Sequence, residues 1–239
     1  MILRLLIACL VSKTSNIMNL LVPTDFSSCA DHAINYAAIF GRRTGADLRL
    51  IHVYAPVDLA NTAIFNEYVF CKINEANAVC AIGGYLENRY IYRRSEHFQQ
   101  TDEPRSIHLG VDIWAKAGTP VYAPMKAKVH SFANNDNFGD YGPTIILEHD
   151  LAGNTFYTLY GHLNLECLED LYESKNIEEG EKIAEFGNFP INGNWPPHLH
   201  FQVMTDMLGK KGDFPGVCEP SKKDYYAEIC LNANWMLGV

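Results

Sequence analysis

Ile107-His108-Leu109-Gly110-Val111-Asp112-Ile113-Trp114 decides the fold. Apolar Ile107, Leu109, Val111 and Ile113 alternate with His108, Gly110, Asp112 and Trp114. A period of two belongs to a strand that turns one set into a core and the other to the opposite face. A helix would also bring His108 and Asp112 together, but Gly110 and the strict alternation favour the strand. The pattern recurs downstream. In 198–203, Leu199, Phe201 and Val203 are the apolar set, with His198, His200 and Gln202 opposite. In 157–163, Thr158, Tyr160 and His162 share one face. Three strands thus present histidine on a polar face.

A single histidine is ordinarily a surface residue or a hydrogen-bonded core residue, and His-x-His or His-x-x-x-Asp alone is a weak signal. The set together points to a metal. An Asp aimed into a sheet interior needs a cation or a partner charge. A catalytic zinc takes three ligands from His, Asp or Glu and keeps a fourth position for water. Imidazole and carboxylate suit it.

The stretches RSIHLGVDIWAKAGTPVYAPMKAKV (105–129), YTLYGHL (157–163) and PPHLHFQV (196–203) resemble the lysostaphin-type zinc metallopeptidases, the peptidoglycan endopeptidases. The resemblance spans about 82–205. It implies one Zn2+ held by His108, Asp112 and His200, with His162 and His198 as the catalytic histidines. It also implies a peptide or peptidoglycan substrate. By analogy with that chemistry, a zinc-activated water attacks the peptide carbonyl. One free histidine moves a proton and the other steadies the oxyanion. We expect His162 to lie across the groove from His198. No His-Glu-x-x-His helix is present. The approach Gly193-Asn194-Trp195-Pro196-Pro197 departs from the small turn of many relatives, and Trp195 is expected to narrow the groove. GGYLENRYIYRRSEHF (83–98) resembles a subgroup joined to intracellular enzymes, which weakens the inference to a cell-wall substrate.

The expected fold around these motifs is a mainly β, antiparallel sandwich with strands near 107–114, 120–132, 143–149, 155–162, 181–187 and 198–204. Turn glycines punctuate them. Ahead of it, 18–22 reads as a short buried strand and 48–54 as a second. A helix capped by Ser27 or Ser28 runs between them through about Arg43. The stretch NLLVPTDFSSCADHAINYAAIFGRRTGADLRLIHVY (19–54) resembles the opening of universal stress proteins, which implies a nucleotide pocket at Asp25. The glycine-rich phosphate loop of that family is missing, so an accessory α/β fragment is preferred over ATP binding. The domain plan is a leader at 1–16, the stress-protein-like fragment at 17–56, a connector at 57–81, the peptidase domain at 82–205 and a tail at 206–239 with a helix from Tyr225.

Composition sets the remaining bounds. The 239 residues carry a net charge of −9, against a phosphate-backbone binder, so no nucleic-acid partner is expected. With 48% hydrophobic residues the chain can build a core. No apolar run reaches the roughly 20 residues of a transmembrane helix. Eight acids and two lysines in 166–185 hold −6 of the charge and read as a solvated segment. Seven cysteines without a Cys-x-x-Cys pair fit neither a zinc ribbon nor a disulfide framework. They favour a reducing, cytoplasmic setting. If MILRLLIACLV acted as an export leader, the cell envelope would follow instead. Ala123-Pro124-Met125-Lys126-Ala127 resembles the Met-Lys turn of biotin carriers, a likeness attributed to shared hairpin architecture. His130 and His149 are read as structural or as supports for a ligand, and His32, His52 and His97 as unrelated to the metal. The rival to an enzyme is a non-hydrolytic domain that keeps the peptidase fold. A stress-protein-related accessory module is a further alternative.

Overall fold

A computed structural model describes residues 19–23, 47–51, 61–99 and 102–237, with the first two segments as backbone only. The expected helix over 27–43, Asp25, His32 and His52 lie outside the described residues.

The described elements, in chain order, begin with β1 (Asn19–Pro23), β2 (Asp47–Ile51), α1 (Thr62–Glu75) and β3 (Ala78–Gly83). Next come β4 (Ile107–His108), β5 (Val111–Trp114), β6 (Pro120–Tyr122), β7 (Ala127–Asn135), β8 (Gly142–Leu151) and β9 (Asn154–Gly161). The last are β10 (Asn176–Ile177), β11 (Lys182–Glu185), β12 (His198–Met204), β13 (Val217–Cys218), α2 (Lys223–Ile229) and β14 (Cys230–Leu231). One large sheet runs β10-β7-β8-β9-β12-β5-β3-β1-β2, and β14 adds to β12. Its pairs are antiparallel except β1 with β2 and with β3, which are parallel. The ribbons β6–β11 and β4–β13 stand apart from it.

The sheet is covered on both faces, and alternation assigns each side chain to one. Ile145 and Leu147 of β8, Tyr160 of β9 and Leu199, Phe201 and Val203 of β12 join Val121, Ala184 and Phe186 of the β6–β11 side in one core. Ile146, Leu159 and Met204 point the other way, to Ile107, Leu109, Phe214 and Cys218 around the β4–β13 ribbon. Strands buried on both faces read as continuous apolar runs, which is why Ile145-Ile146-Leu147 shows no polar alternation. His198, His200 and Gln202 therefore emerge on the β4–β13 side.

Several expected boundaries shift. The strand 107–114 is two pieces, broken at Leu109–Gly110, where Leu109 N–H donates to Gly216 O (2.8 Å). The strand 120–132 divides between β6 and β7 around a turn whose exposed Lys126 pairs with Glu178 at 3.1 Å. Residues 57–81 are more than a connector, because β3 pairs with β5 through Ala81–Trp114, Ile82–Ile113 and Gly83–Asp112. The Gly83-Gly84 break thus ends a strand rather than a helix. The acidic segment holds a short 3-10 turn, Leu165–Leu168, and then β10 on the sheet edge. The tail is tied in by β13 and β14.

Helix α1 begins at Asn61, whose side chain caps the Ala63 and Ile64 amides. It buries Phe65 and Ile73. Phe65 meets Trp114 at 5.8 Å and Trp195 at 6.5 Å, both edge-on. Edge-to-face rings at these distances add to the area they bury. Phe65→Ala is expected to cost about 3 kcal/mol, the usual scale for a buried Phe truncation. Urea denaturation followed by tryptophan fluorescence would measure it, and Ile64→Ala, at an exposed position of the same helix, should change little.

Candidate metal centre

The register of β12 builds the site. Its His200 lies opposite Asp112 of β5 on one side and Gly161 of β9 on the other. His108 arrives from β4, across the interruption between β4 and β5 at Leu109–Gly110. Gly110 lies beneath the His200 ring, where a Cβ would stand 2.6 Å from Nε2. Only a residue without a side chain lets the His108–Asp112 segment pass so close.

His108, Asp112 and His200 are buried, and their donor atoms lie within 4.8 Å of one another. His108 Nε2 is 2.9 Å from His200 Nδ1. Asp112 Oδ1 is 3.2 Å from the first and 3.1 Å from the second. Four ligands at zinc bond lengths in a tetrahedron stand about 3.3 Å apart, so this triangle fits one face.

Hydrogen bonds assign the tautomers. His108 Nδ1–H donates to Gly84 O at 3.1 Å, because a carbonyl can only accept. His200 Nε2–H donates to Gln202 Oε1 at 2.9 Å. The Gln202 amide is oriented by its own donation to Pro215 O (3.1 Å) and Cys230 Sγ (3.2 Å). Both imidazoles then turn unprotonated nitrogens toward each other and toward a carboxylate. With both rings neutral, three lone-pair donors face one point, an arrangement that fits a cation.

His162 and His198 stand beside this centre. His162 follows β9 with a left-handed backbone, φ 62°. Its amide donates to Tyr141 O (2.7 Å) and its Nδ1–H to Asn192 O (2.8 Å). Asn192 in turn ties the loop through Gly187 O and the Trp195 backbone. His198 Nδ1–H donates to Pro196 O (2.8 Å), its ring stacks on Trp114 at 4.0 Å, and its Nε2 is 3.9 Å from Asp112 Oδ1. The two rings are 4.1 Å apart. They sit side by side rather than across a groove, because β9 and β12 are neighbouring strands. Trp195 stands 6.2 Å from each of them, in the wall of the cleft.

Burial lowers the pKa of these histidines. His108 falls to about 4, chiefly through burial and then the Arg89 charge. His198 falls to about 4 through burial. His162 lies well below the ordinary range, through burial and then the neighbouring His198 and His200. Burial pushes Asp112 up, but His108 and Arg89 outweigh it and hold the carboxyl well below its usual range.

The site opens into a cleft of about 590 Å³ walled by Phe65, Tyr92, Trp114, Trp195 and Phe214, among others. Sequence reasoning missed Gly84, Arg89, Tyr141 and Asn192, which lie in loops or strand ends without periodicity. Gln202 carried a signal, since it alternates with the two histidines. His97 is away from the donors but lines the cleft, 3.8 Å from Asp140. His149 sits between the Lys126 carbonyl and the Thr158 hydroxyl, and His130 against Ser131, both apart from the donors. The five described cysteines are free thiols.

The fold and the site define a mainly β protein with a buried two-histidine, one-aspartate centre. Residues 106–212 match the model of Peptidase family M23, and 16–69 match the Universal stress protein family. The chain thus holds a stretch that matches the M23 model, preceded by one that matches the stress-protein model. Among curated proteins it is similar to peptidoglycan DD-endopeptidase ShyC of Vibrio cholerae serotype O1, 27% identical over 104 residues. That match covers 43% of this chain and 21% of ShyC, so the chain spans about one fifth of this relative. Among solved structures it is similar to the catalytic domain of lysostaphin from Staphylococcus simulans (TM-score 0.34, 23% identity, 51% of this chain and 80% of that one). It is also similar to a mutant catalytic domain of the prophage-encoded M23 protein EnpA from Enterococcus faecalis (TM-score 0.34, 19% identity, 48% and 78%).

The histidine shifts set an acid limit on the metal-free fold. Folded His108 and His198 stay neutral to about pH 4, whereas unfolded histidines protonate near 6.5. Their contribution is full above pH 6.5 and is lost as pH falls toward 4, at up to about 1.4 kcal/mol per pH unit for each histidine. Asp112, whose folded pKa is also depressed, adds a loss in the same direction, only below this window, as pH falls past the ordinary carboxylate range. Urea midpoints of chelator-treated protein at pH 7.5, 5.5 and 4.5 should fall in that order.

Proposed function

We propose that the chain is a zinc-dependent metalloendopeptidase acting on peptidoglycan-type cross-links or stem peptides. The observation that carries this reading is the convergence of His108 Nε2, Asp112 Oδ1 and His200 Nδ1 within 3.2 Å of one another, beside two further buried histidines. The M23 match and the similarity to a protein named as a peptidoglycan DD-endopeptidase support it.

His108, Asp112 and His200 would hold the zinc, which supplies Lewis acidity toward a peptide carbonyl and an attacking water. The remaining work belongs to His162 and His198. Each keeps Nδ1–H on a backbone carbonyl, so each offers Nε2 as a proton acceptor. Burial holds both pKa values down, so both rings are neutral and able to accept at neutral pH, at a cost in basicity. With rings 4.1 Å apart, charge on one disfavours charge on the other. The pair thus holds one proton at a time. It accepts that proton from water and passes it to the departing amine, while the protonated ring steadies the oxyanion. Trp114, stacked on His198, fixes that ring's plane.

Purified protein should contain about one zinc per chain, read by elemental analysis. His200→Ala should lose it. His162→Ala should keep the zinc and lose roughly 10²–10⁴-fold in kcat/KM, the usual scale for an acid–base group. Substrates are peptidoglycan fragments and general peptides, with products identified by mass. Zinc binding without cleavage of either would favour a non-hydrolytic domain.

A further inference from the structure

Asp112 has two carboxylate oxygens, and the fold gives them different partners. Oδ1 faces His108 and His200 at 3.2 and 3.1 Å. Oδ2 accepts from Arg89 Nη1. Arg89 is itself held on other sides. Its Nε donates to Glu87 Oε2 at 2.8 Å, Nη2 to Gly84 O at 3.3 Å, and Nη1 also reaches the Tyr92 hydroxyl at 3.3 Å. Gly83, the register neighbour of Asp112, leaves the space the guanidinium occupies, since a Cβ there would stand 2.6 Å from Nη2. The Gly84 carbonyl that accepts from Arg89 also accepts His108 Nδ1–H. One short segment, 83–92, thus ties down two of the three donors, and it lies ahead of the residues that match the M23 model. Burial works against the guanidinium charge, but Tyr92, Asp112 and Glu87 outweigh it.

We propose that Arg89 is a positioning residue that occupies Oδ2 of Asp112 and leaves Oδ1 as the single oxygen free to bind a metal. The proposal rests on the reading that His108, Asp112 and His200 hold one. A carboxylate free to bind through both oxygens would take up the position a catalytic site keeps open for water. Glu87, in pairing with Arg89, keeps the guanidinium from swinging away when a cation arrives. A role limited to neutralising a buried carboxylate would stabilise the fold and leave the coordination number unchanged, so the two roles separate by spectroscopy.

The test uses Co2+ in place of zinc, in the full chain. Four-coordinate cobalt absorbs visible light more strongly than five- or six-coordinate cobalt. Wild-type protein should show the strong band at about one cobalt per chain. Arg89→Met should bind cobalt with a band several-fold weaker, and Arg89→Lys, which restores a charged donor to Oδ2, should recover most of it. An Arg89→Met spectrum identical to wild type at equal cobalt content overturns the proposal and leaves the metal reading intact. Wild-type protein that takes up neither cobalt nor zinc overturns both. Should Arg89→Met fail to fold, X-ray absorption of the zinc-loaded wild type decides. One carboxylate oxygen at bonding distance supports the proposal, and two overturn it.

Discussion

Two imidazole nitrogens and a carboxylate oxygen are held about three ångströms apart in a buried place, each with its lone pair turned inward when the rings are neutral. Such an arrangement is electrostatically unfavourable until a cation enters it. The rest of the molecule is organised to keep that arrangement from relaxing. The Gly84 carbonyl and the Gln202 amide hold the protons of the two imidazoles on the outer nitrogens. Arg89 takes the outer oxygen of the carboxylate. Each donor can turn inward only because its other polar atom is engaged outward.

The same geometry explains why three adjacent strands are needed. Antiparallel register sets His200 beside Asp112 and beside Gly161, and the next residue, His162, leaves the strand in a left-handed conformation. A one-residue slip of β12 would send His198, His200 and Gln202 into the apolar core and bring Leu199 and Phe201 to the site. The two apolar faces, Ile145 and Leu147 against one cover and Ile146 against the other, oppose that slip. Core packing and site chemistry are thus the same constraint seen from two sides of one sheet.

The roof of the cleft joins the stress-protein-like part of the chain to the M23 part. Phe65 of α1 rests on Trp114 and Trp195, and Trp114 rests on His198. The strand β3 continues the same sheet past β5. Among the described residues, α1 and β3 thus share a roof and a sheet with the strands that carry the site.

The alternation at 198–203 made that strand and its apolar face legible, because a period of two is a local property that needs no knowledge of neighbours. At 107–114 it picked out His108 and Asp112, but the break at Leu109–Gly110 sends Ile107 and Leu109 to one core and Val111 and Ile113 to the other. The loop at 83–92, Asn192 and Tyr141 were not legible. Each acts through a backbone carbonyl or a single side-chain contact made across a long separation in sequence, and such contacts leave no periodicity. The placement of His162 shows the same divide. Its identity was evident from YTLYGHL, but its position beside His198 followed from which strands are neighbours. The sequence by itself determined which side chains share a face within an unbroken strand, since strand geometry is set residue by residue, but not where the strand breaks at Leu109–Gly110 or where His162 turns away from the face of Tyr160. Only the tertiary structure decided which faces meet, which nitrogen carries each proton and which oxygen of Asp112 is free, since those depend on partners brought together by packing.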